Sequence, residues 1–580
     1  MADRLTETLT ELLRQAVGQP DADVAGDSLR WEVPKEPAFG DLSCPIAFRL
    51  ASRRRQAPQH VAEQLVRAIQ DALPGSAGHG WVDRLEARSG FVNVFLSRAA
   101  LAEVISQIRR QRRRYGTSRL GQGQSVLIEF VSANPTGPLS VAHGRQAAIG
   151  DAIARLLESQ GYAVSREYLV NDEGRQMDLL GRSLQVRYAE LLGQSLPFPD
   201  DGYHGAYVSD VAAAFLRRYG RRFAGQLDER SLPRFVAFGT TWLLRGIQQD
   251  LRQFRLRFDR WVSQRTLRES GRVERALADL KQRGALYEQE DAVWFASTRF
   301  GDDKDRVVQK RGGELTYFSP DIAYHQWKFA RGYDQLINLW GPDHHGYVAR
   351  VKAAMSALGL PAERLVIRLV QLVTLSRRGK PVPMSKRQGE FVTFKEVLDD
   401  VGVDATRFFY LMRTTDSHLD FDLDLAKSQS QDNPVYYVQY AHARICSILG
   451  YARVRLPWWR RWGPVEMARL GAPEERLVLR TLFQFPMVVG ACAHSLEPHG
   501  LTAYLQRLAE HFHVFYAKHR VISEDVALSR ARLELVHATR WVLANGLGFL
   551  GVSAPRRMSS SGAPRAELVA PFPSPRGAES

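Results

Sequence analysis

Two residues between Val126 and Gly150 are of types that take part in chemistry, a carboxylate and an imidazole. Glu129 stands inside an apolar run, where a carboxylate is costly unless a cation pairs with it. His143 lies in the first turn of a predicted helix. Helix N-termini offer unpaired N–H groups and a positive dipole end to phosphate. These residue types at this spacing favour the binding of a nucleotide.

A strand, a loop and a helix must position these two residues. Val126–Val131 is a short, β-rich apolar run and predicts a buried strand. Ser132–Pro138 is dense in turn-forming residues and predicts a loop. From Val141 to about Ser159 apolar residues recur at helical spacing, which predicts a helix. Strand, loop and helix in this order open a nucleotide-binding α/β unit.

The composition of the whole chain limits the class of protein. Its 580 residues, 44% of them hydrophobic, predict three to four domains with full cores. The formal net charge of +16 favours a polyanionic partner, nucleic acid before membrane, although a basic proteome gives the same balance. No apolar run approaches the roughly 18 residues that span a bilayer, and the N-terminus lacks the apolar core of a signal peptide. Three distant cysteines without a CxxC pair indicate a reducing compartment and no zinc site.

The rest of the chain continues the α/β pattern with one interruption. We expect an α/β fold with a doubly wound parallel sheet, a small N-terminal α/β domain and an all-helical C-terminal domain. Residues 175–285 are predicted to be a helical insertion between the two halves of the sheet. No G-x-x-x-x-G-K-[ST] sequence occurs, and Gly121-x-Gly123 lacks the third glycine of a dinucleotide fingerprint. Further strands are predicted at Val164–Val170, Ala292–Ala296, Leu336–Trp340 and Leu365–Leu375.

A Tyr–Asp pair is predicted at the carboxyl end of this sheet. Ser319 as N-cap and Pro320 at the first helical position mark the start of a helix. Tyr317 then ends the preceding strand, and Asp321 lies in the first turn, where crevices of open α/β sheets are found. Stabilisation of the helix dipole is an equally simple role for Asp321.

Two more loops follow predicted strands. Gly341-Pro342-Asp343-His344-His345 combines a glycine, which lets a ligand approach the backbone, with an acceptor for hydroxyl protons. Neighbouring histidines rarely point at one ion, so no metal site is predicted there. The loop 376–389 is cationic and bears glycine, which suits gripping a pyrophosphate leaving group, although basic loops are more often solvated surface.

Residues 129–138, E-F-V-S-A-N-P-T-G-P, resemble the signature of arginyl-type class I aminoacyl-tRNA synthetases. The following Ser140-Val141-Ala142-His143 keeps the last His of the class's His-Ile-Gly-His element and lacks its first His and its Gly. Met384-Ser385-Lys386-Arg387 matches four of the five positions of Lys-Met-Ser-Lys-Arg, with Pro383 in place of the first Lys. Tyr317 and Asp321 match a Tyr-x-x-x-Asp pair that binds guanidinium. The resemblance runs from Phe39-Gly40-Asp41 to Gly551–Pro555.

The resemblance implies an ATP-dependent activation of L-arginine to the adenylate and its transfer to the 3′ end of arginine tRNA. It implies Mg²⁺ accompanying the polyphosphate, binding of tRNA before activation, and a cytoplasmic monomer that does not bind membranes. The residues that it assigns are His143, Ser140 and Lys386 to catalysis; Glu129, Ser132, Asn134, Tyr317 and Asp321 to arginine; Ala142, Gly341, Asp343, His344, Met384, Ser385, Lys386 and Arg387 to ATP; and Phe39, Tyr436, Tyr440 and Arg444 to tRNA.

The resemblance also divides the chain into domains. The predicted ranges are 1–108 for an N-terminal tRNA-docking domain, 121–395 for the catalytic domain, 396–430 for a connecting helical segment, 431–558 for a helical anticodon-binding domain and 559–580 for a disordered tail.

Several of these interpretations have a simpler alternative. The N-terminal domain is nearly as well explained as a packing domain, and the tyrosines near Tyr436 as core. Arg109–Arg114 could contact phosphate or be a solvated helix end. Trp458–Trp462 could stack on unpaired bases or pack on a helix.

The alternative function is a degenerate paralogue that binds tRNA or a related RNA without efficient aminoacylation. Ser140, Ala142 and Pro383 are the departures that leave this alternative open. Against it, the residues that match the arginine site all persist, and a protein that only binds RNA has no need of them. A different class I ligase is excluded by the guanidinium-matching carboxylates.

Overall fold

The computed structural model describes residues 2–18, 29–34, 36–382, 384–385, 390–456 and 465–558. Pro383, Lys386, Arg387, Trp458–Trp462 and the 559–580 tail lie outside the described residues. Of Met384 and Ser385 only the backbone is described.

The helices and strands alternate along the catalytic part of the chain and become all helical after it. The helices are α1 Ala2–Val17, α2 Ile46–Arg54, α3 Pro58–Ala72, α4 Arg98–Gln111, α5 Val141–Ser159, α6 Arg175–Leu191, α7 Ala206–Tyr219, α8 Leu232–Gln253, α9 Gln264–Glu269, α10 Arg272–Gln282, α11 Phe318–Ala330, α12 Tyr347–Ala357, α13 Phe394–Val401, α14 Val403–Tyr410, α15 Leu423–Lys427, α16 Pro434–Arg455, α17 Pro473–Ser495, α18 His499–Lys518 and α19 Val526–Phe549. The strands are β1 Leu42–Cys44, β2 Val82–Arg88, β3 Phe91–Leu96, β4 Ser125–Glu129, β5 Ala163–Val170, β6 Arg260–Ser263, β7 Leu286–Gln289, β8 Ala292–Phe295, β9 Arg306–Gln309, β10 Gln335–Trp340, β11 Leu365–Leu369, β12 Val373–Arg377, β13 Lys380–Pro381, β14 Met384–Ser385, β15 Glu390–Phe391 and β16 Leu419–Asp422.

The catalytic part is built on a parallel sheet in the order β11-β10-β4-β5-β6. The chain winds outward from β4 through β5 to β6, then returns to the other side of β4 for β10 and β11. This is the doubly wound arrangement expected from the sequence. Its switch point lies between β4 and β10, where a crevice forms at the carboxyl ends of the strands. Helix α5 connects β4 to β5 and is buried on almost every side, which explains its run of alanines.

The predicted insertion at 175–285 is too long. Helices α6, α7 and α8 pack together around their own core, but β6 pairs in parallel with β5 and belongs to the central sheet. The sequence hides this strand because Arg260–Ser263 is a short edge strand without an apolar alternation.

Two other strand predictions are corrected. Ala292–Phe295 does not resume the parallel sheet, because it lies in an antiparallel sheet with β7 and β9. The predicted strand Leu365–Leu375 is two strands: β11 lies in the central sheet, whereas β12 pairs with β16 and β13. The backbone at Val370 and Gln371 leaves one sheet for the other, bonding to Trp340 O and Thr415 O.

In the N-terminal part the apolar spacing over 42–54 predicts a helix with Ala38–Asp41 as its turn and N-cap, but this predicted helix begins too early. Leu42–Cys44 is a strand that pairs with β3, and the helix starts at Ile46. Asp41 is therefore not an N-cap. Its buried carboxylate accepts a hydrogen bond from the Leu96 N–H at 2.7 Å and pairs with Arg480 of the C-terminal part. The turn places Gly40 at φ +94°, where a Cβ would lie 2.7 Å from Val94 O.

Four long helices, α16 to α19, make up the C-terminal part. Their apolar residues form one core with the N-terminal helices and with α5. Within the described residues, α17 alone is long and apolar enough to cross a membrane by length and composition, yet 56% of that stretch is buried inside the protein. Tyr115 lies between α4 and β4, and its hydroxyl donates to Leu482 O of α17 at 2.9 Å. This hydrogen bond ties α17 to the segment that leads into the central sheet.

Candidate active site

A cleft of about 1150 Å³ lies at the carboxyl ends of β4 and β10. Its lining includes the strand ends, the N-terminus of α5, the start of α11 and the loop after β10. It brings together nine of the residues predicted from the sequence: Glu129, Ser132, Asn134, His143, Tyr317, Asp321, Gly341, Asp343 and His344. Ser140 and Ala142 are partly buried at the start of α5 and do not line it.

The loop after β4 has a strained backbone. Val131 and Ser132 have φ values of +69° and +40°, which a β-branched residue such as valine rarely adopts. The Ser132 hydroxyl holds this loop, because it donates to Glu129 Oε1 at 2.9 Å and accepts from the Leu169 N–H at 3.1 Å. A serine hydroxyl has one donor and two acceptor positions, so one acceptor of Ser132 remains for a substrate ammonium. Strain of this kind persists where the surrounding contacts fix a binding site.

Glu129 has the cationic partner that its apolar strand demands. The Lys328 ammonium, fully buried on α11, forms an ion pair with Glu129 Oε2. It also donates to Asn338 Oδ1 at 2.9 Å and lies 4.3 Å from the centre of the Tyr324 ring. The charge of Glu129 is therefore compensated inside the protein before any substrate binds.

The same hydrogen-bonded chain continues from Lys328 to the backbone of Asp321. Asn338 donates through Nδ2 to His325 Nε2 at 2.8 Å, and His325 donates through Nδ1 to Asp321 O at 2.8 Å. This assignment requires a neutral imidazole. Burial, with a smaller contribution from the Lys328 charge, lowers the pKa of His325 to about 3, in agreement with it. The network therefore links β4, β10 and α11, and the donor and the acceptor of each of its hydrogen bonds are assigned.

The carboxylate of Asp321 lines the cleft and forms no ion pair with the described residues. Burial raises the pKa of Asp321 to about 6, while a hydrogen bond from Tyr347 works in the opposite direction. The Tyr347 hydroxyl donates to Asp321 Oδ2 at 2.5 Å. A guanidinium in this pocket would favour the ionised form of Asp321. The helix begins at Phe318 with Tyr317 as N-cap, so the predicted N-cap at Ser319 is wrong.

Ser319 is instead drawn inward, because its hydroxyl donates to Val308 O at 2.5 Å. Tyr317 is 74% exposed at the rim of the cleft rather than at a strand end.

His143 folds back on the start of its own helix. The Ser140 N–H donates to His143 Nδ1 at 3.1 Å, and the Ser140 hydroxyl lies 3.0 Å from the same nitrogen. Because Nδ1 accepts, the neutral imidazole carries its proton on Nε2. Ser140, which replaces a histidine of the class pattern, thus orients the histidine that remains. This geometry places an imidazole at a helix N-terminus, the kind of place where phosphate groups bind.

The segment that follows the 376–389 loop is anchored on the same helix start. Thr393 forms an isolated β-bridge with Ser140, and the Phe394 N–H donates to Leu139 O at 2.8 Å. Gly144 makes this contact possible, since a Cβ there would lie 2.4 Å from the Phe394 ring. The loop that bears Met384 and Ser385 is therefore tied at its C-terminal end to the helix that presents His143.

The helical insertion supplies one wall of the cleft, which the sequence did not indicate. Asn134 donates to Gln176 Oε1 at 2.7 Å, and Tyr207 donates to Thr136 O at 2.8 Å. Lys328, Tyr347, Gln176 and Tyr207 are the site residues that sequence reasoning missed. For Lys328 a signal existed, because a buried Glu129 required a cation. The other three carry no local pattern.

The loop after β10 brings the Asp343 side chain close to Gly341. A Cβ at Gly341 would lie 2.5 Å from Asp343 Oδ1. Asp343 and His344 are exposed side chains with an Oδ2–Nε2 distance of 3.4 Å, and His344 packs its ring near Trp340 and Tyr347. Among the described residues, no group of three His, Cys, Asp or Glu side chains could hold a metal ion.

The residues predicted to contact RNA lie on surfaces away from the cleft. Tyr436 and Tyr440 are stacked at 6.0 Å between ring centres, and the Arg444 guanidinium lies over Tyr440 at 4.7 Å. His513 and Tyr516 of α18 extend this stack. In the N-terminal part, Phe39 is covered by the Arg88 guanidinium at 4.8 Å.

The sequence matches three family models along its length. They are the "Arginyl tRNA synthetase N terminal domain" over residues 3–96, "tRNA synthetases class I (R), catalytic domain" over 104–411 and "DALR anticodon binding domain" over 438–558. Similar curated proteins include the arginine–tRNA ligase of Thioalkalivibrio sulfidiphilus, 46% identical over 96% of this chain and 100% of the relative. The arginine–tRNA ligase of Citrifermentans bemidjiense is 48% identical over 91% of this chain and 94% of its own length.

The fold is also found among solved structures. The arginyl-tRNA synthetase of Thermus thermophilus superimposes with a TM-score of 0.75 at 24% identity, covering 95% of this chain and 100% of that one. The curated relatives are more than 40% identical to this chain over nearly its full length, and all three family models match it. The chain belongs to the arginyl-tRNA synthetase family of class I.

Proposed function

We propose that this chain is an arginine–tRNA ligase. It activates L-arginine with ATP and transfers the arginyl group to the 3′ end of arginine tRNA. The observation that carries this proposal is the cleft that unites the acidic side chain of Asp321 with the helix start that bears His143. Full-length relatives named arginine–tRNA ligase support it over a paralogue that only binds tRNA.

Activation joins two substrates held at opposite ends of this cleft. Asp321, with Tyr317 at the rim, receives the guanidinium, while Glu129, Ser132 and Asn134 hold the ammonium and carboxylate end. A carboxylate oxygen of arginine then attacks the α-phosphorus of ATP. The bond between the α-phosphorus and its bridging oxygen breaks, and pyrophosphate leaves.

The nucleotide is held by the N-terminus of α5 and by the loop after β10. His143 donates from Nε2 to a phosphate oxygen, and Ser140 keeps that imidazole oriented. Gly341, Asp343 and His344 contact the ribose side, with Ala142 near the base. The segment Met384–Arg387 grips the pyrophosphate from the loop that Thr393 ties to this helix. Mg²⁺ would accompany the polyphosphate, and because phosphate oxygens bind the ion it would need few ligands from the protein.

Transfer requires the tRNA to reach the same cleft. A hydroxyl of its terminal ribose attacks the carbonyl carbon of the adenylate, and AMP leaves. We propose that Tyr436, Tyr440 and Arg444 contact the anticodon side and Phe39 the outer corner of the tRNA. We further propose that tRNA binds before activation and that the enzyme acts as a cytoplasmic monomer.

The experiment that tests this function is arginine-dependent exchange of labelled pyrophosphate into ATP, with and without arginine tRNA. We expect exchange with arginine and tRNA together and none with lysine. Asp321→Asn is the matched variant, because it keeps the shape of the side chain and removes its charge. A protein that binds arginine tRNA tightly but supports no exchange with any amino acid would establish the binding-only alternative.

A further inference from the structure

We propose that an arginine-rich surface where α4 meets α19 binds the phosphate backbone of the tRNA. This junction patch consists of Arg109, Arg112, Arg113, Arg114, Arg530 and Arg540. This inference rests on the proposed function. The junction patch is distinct from the active-site cleft and from the stack around Tyr440.

The first observation is how the patch is presented. Helix α4 ends at Gln111, and Arg112–Arg114 follow as a tight turn. Arg112 has φ +50°, a conformation that favours glycine. The turn is locked from α19, where the Asn545 amide donates to Arg112 O at 2.8 Å and to Tyr115 O at 3.0 Å. A fixed turn therefore carries three consecutive guanidinium groups on the surface.

The second observation is that the three arginines of the turn have no acidic partner among the described residues. The side chains of Arg112, Arg113 and Arg114 are exposed, and in the described part of the chain they make no ion pair or hydrogen bond. The facing helix adds Arg530 and Arg540, and its Glu534 lies 3.6 Å from Arg109. Like charges gathered this way repel one another unless an anion lies among them.

The third observation is that the pKa of His537 responds to the positive charges of the patch. Burial, followed by the charges of Arg540, Arg109 and Arg112, lowers the pKa of His537 to about 4. Guanidinium groups from the α4 turn and from α19 therefore act on one point. Arg540 also lies over the Trp541 ring at 4.7 Å, which keeps it extended along the surface.

The position of the patch selects RNA as its occupant. Helix α4 directly follows β3 of the N-terminal part and packs on α17 and α19 of the C-terminal part. The patch thus lies at the junction of the parts that carry Phe39 and Tyr440. A nucleic acid that contacts both parts supplies a continuous run of phosphates across this junction. Arginine engages phosphate oxygens through two parallel N–H donors.

The test is the salt dependence of arginine tRNA binding by the full-length protein. The variant Arg112→Gln/Arg113→Gln removes two charges from the turn. The control Lys281→Gln/Arg283→Gln removes two exposed charges at the end of α10, which packs on α11 instead. Each lost phosphate contact lowers the magnitude of the slope of log K against log salt by about 0.7–0.9. The slope of the variant should therefore be smaller by roughly 1.5, and the variant should bind tRNA roughly tenfold more weakly near 0.1 M salt.

Arginine and ATP KM values at saturating tRNA should stay unchanged in both variants, because neither pair touches the cleft. An unaltered Kd and slope in the patch variant, with wild-type protein that arginylates normally, would overturn the proposal. Equal losses in the patch variant and its control would also overturn it, since that is a general charge effect. Wild-type protein that neither binds nor arginylates tRNA refutes the proposed function instead.

Discussion

The buried ion pair between Lys328 and Glu129 gives the sharpest prediction. Lys328→Met keeps the length and apolar volume of the side chain and removes the ammonium. In the structure this leaves Glu129, 4% exposed, without its cation, and Asn338 Oδ1 without its donor. Breaking one side of a buried pair costs about 3–5 kcal/mol, because an uncompensated charge stays buried. The lost hydrogen bond to Asn338 adds about 1 kcal/mol.

The consequence for binding follows from the position of Glu129. Without Lys328 its carboxylate either turns towards solvent or takes up a proton, and in neither case does it present a charged oxygen to the arginine. We expect kcat/KM for arginine to fall at least about 100-fold, which corresponds to about 3 kcal/mol. The KM for ATP should change less than about twofold, since the ATP-binding residues lie outside the network.

Two further variants separate positioning from simple loss of stability. Lys395→Met is the matched control, because Lys395 pairs with Asp399 on the exposed face of α13, where an ion pair contributes about 0–1 kcal/mol. Glu129→Gln/Lys328→Met removes both charges and should recover most of the urea midpoint that Lys328→Met loses, without recovering arginine binding.

The reasoning is refuted if Lys328→Met resembles Lys395→Met in urea midpoint and in arginine KM. It is also refuted if the double variant binds arginine as the wild type does, because Glu129 would then have no part in the site.

The remaining predictions concern the pocket, the helix start and the tRNA. Asp321→Asn should raise the KM for arginine strongly with that for ATP nearly unchanged, and Tyr317→Phe should do so mildly; equal losses for both substrates would remove Asp321 from the pocket. Because the pKa of Asp321 is raised to about 6, kcat/KM for arginine should fall as pH drops through 6, and this limb should be missing in Asp321→Asn. Ser140→His with Ala142→Gly should raise the activation rate; an unchanged or lower rate contradicts the role given to the altered helix start. Removal of 431–580 should abolish tRNA-dependent activity, and tRNA binding should weaken steeply with salt; full tRNA affinity in the truncated protein contradicts this.

Much of the fold could be predicted because its signals are local. Helix α5 has the predicted bounds, since its loop residues and apolar spacing lie within one short stretch. The short edge strand β6 and the division of Leu365–Leu375 could not be predicted. Their partners, β5 and β16, are distant in sequence, and a continuous apolar run looks the same whether one sheet or two bury it.

The site divides in the same way. Residues at the ends of central strands could be placed at the carboxyl edge from the strand pattern alone, which is why Glu129 and Gly341 meet in one cleft. Asp321 reaches the same cleft from the start of α11, which follows no strand of this sheet. Their partners could not be placed, because Lys328 and Tyr347 lie on helices whose rotation only packing determines. The sequence required a cation for Glu129 but did not indicate which of the 79 Lys and Arg residues supplies it.

Identification of that cation changes the account of amino-acid choice. The sequence predicts that Glu129 and Asp321 together align on the planar guanidinium of arginine. The structure gives Glu129 to Lys328, so Asp321 is left as the uncompensated carboxylate of the two. A single carboxylate attracts lysine as well as arginine, and charge alone cannot discriminate between them. Discrimination must then come from the fixed, planar donors of arginine meeting acceptors that Tyr347 and the buried network hold in place. Selectivity against lysine should accordingly fall in Tyr347→Phe, which frees the Asp321 carboxylate to rotate, even though the charge of the pocket is the same.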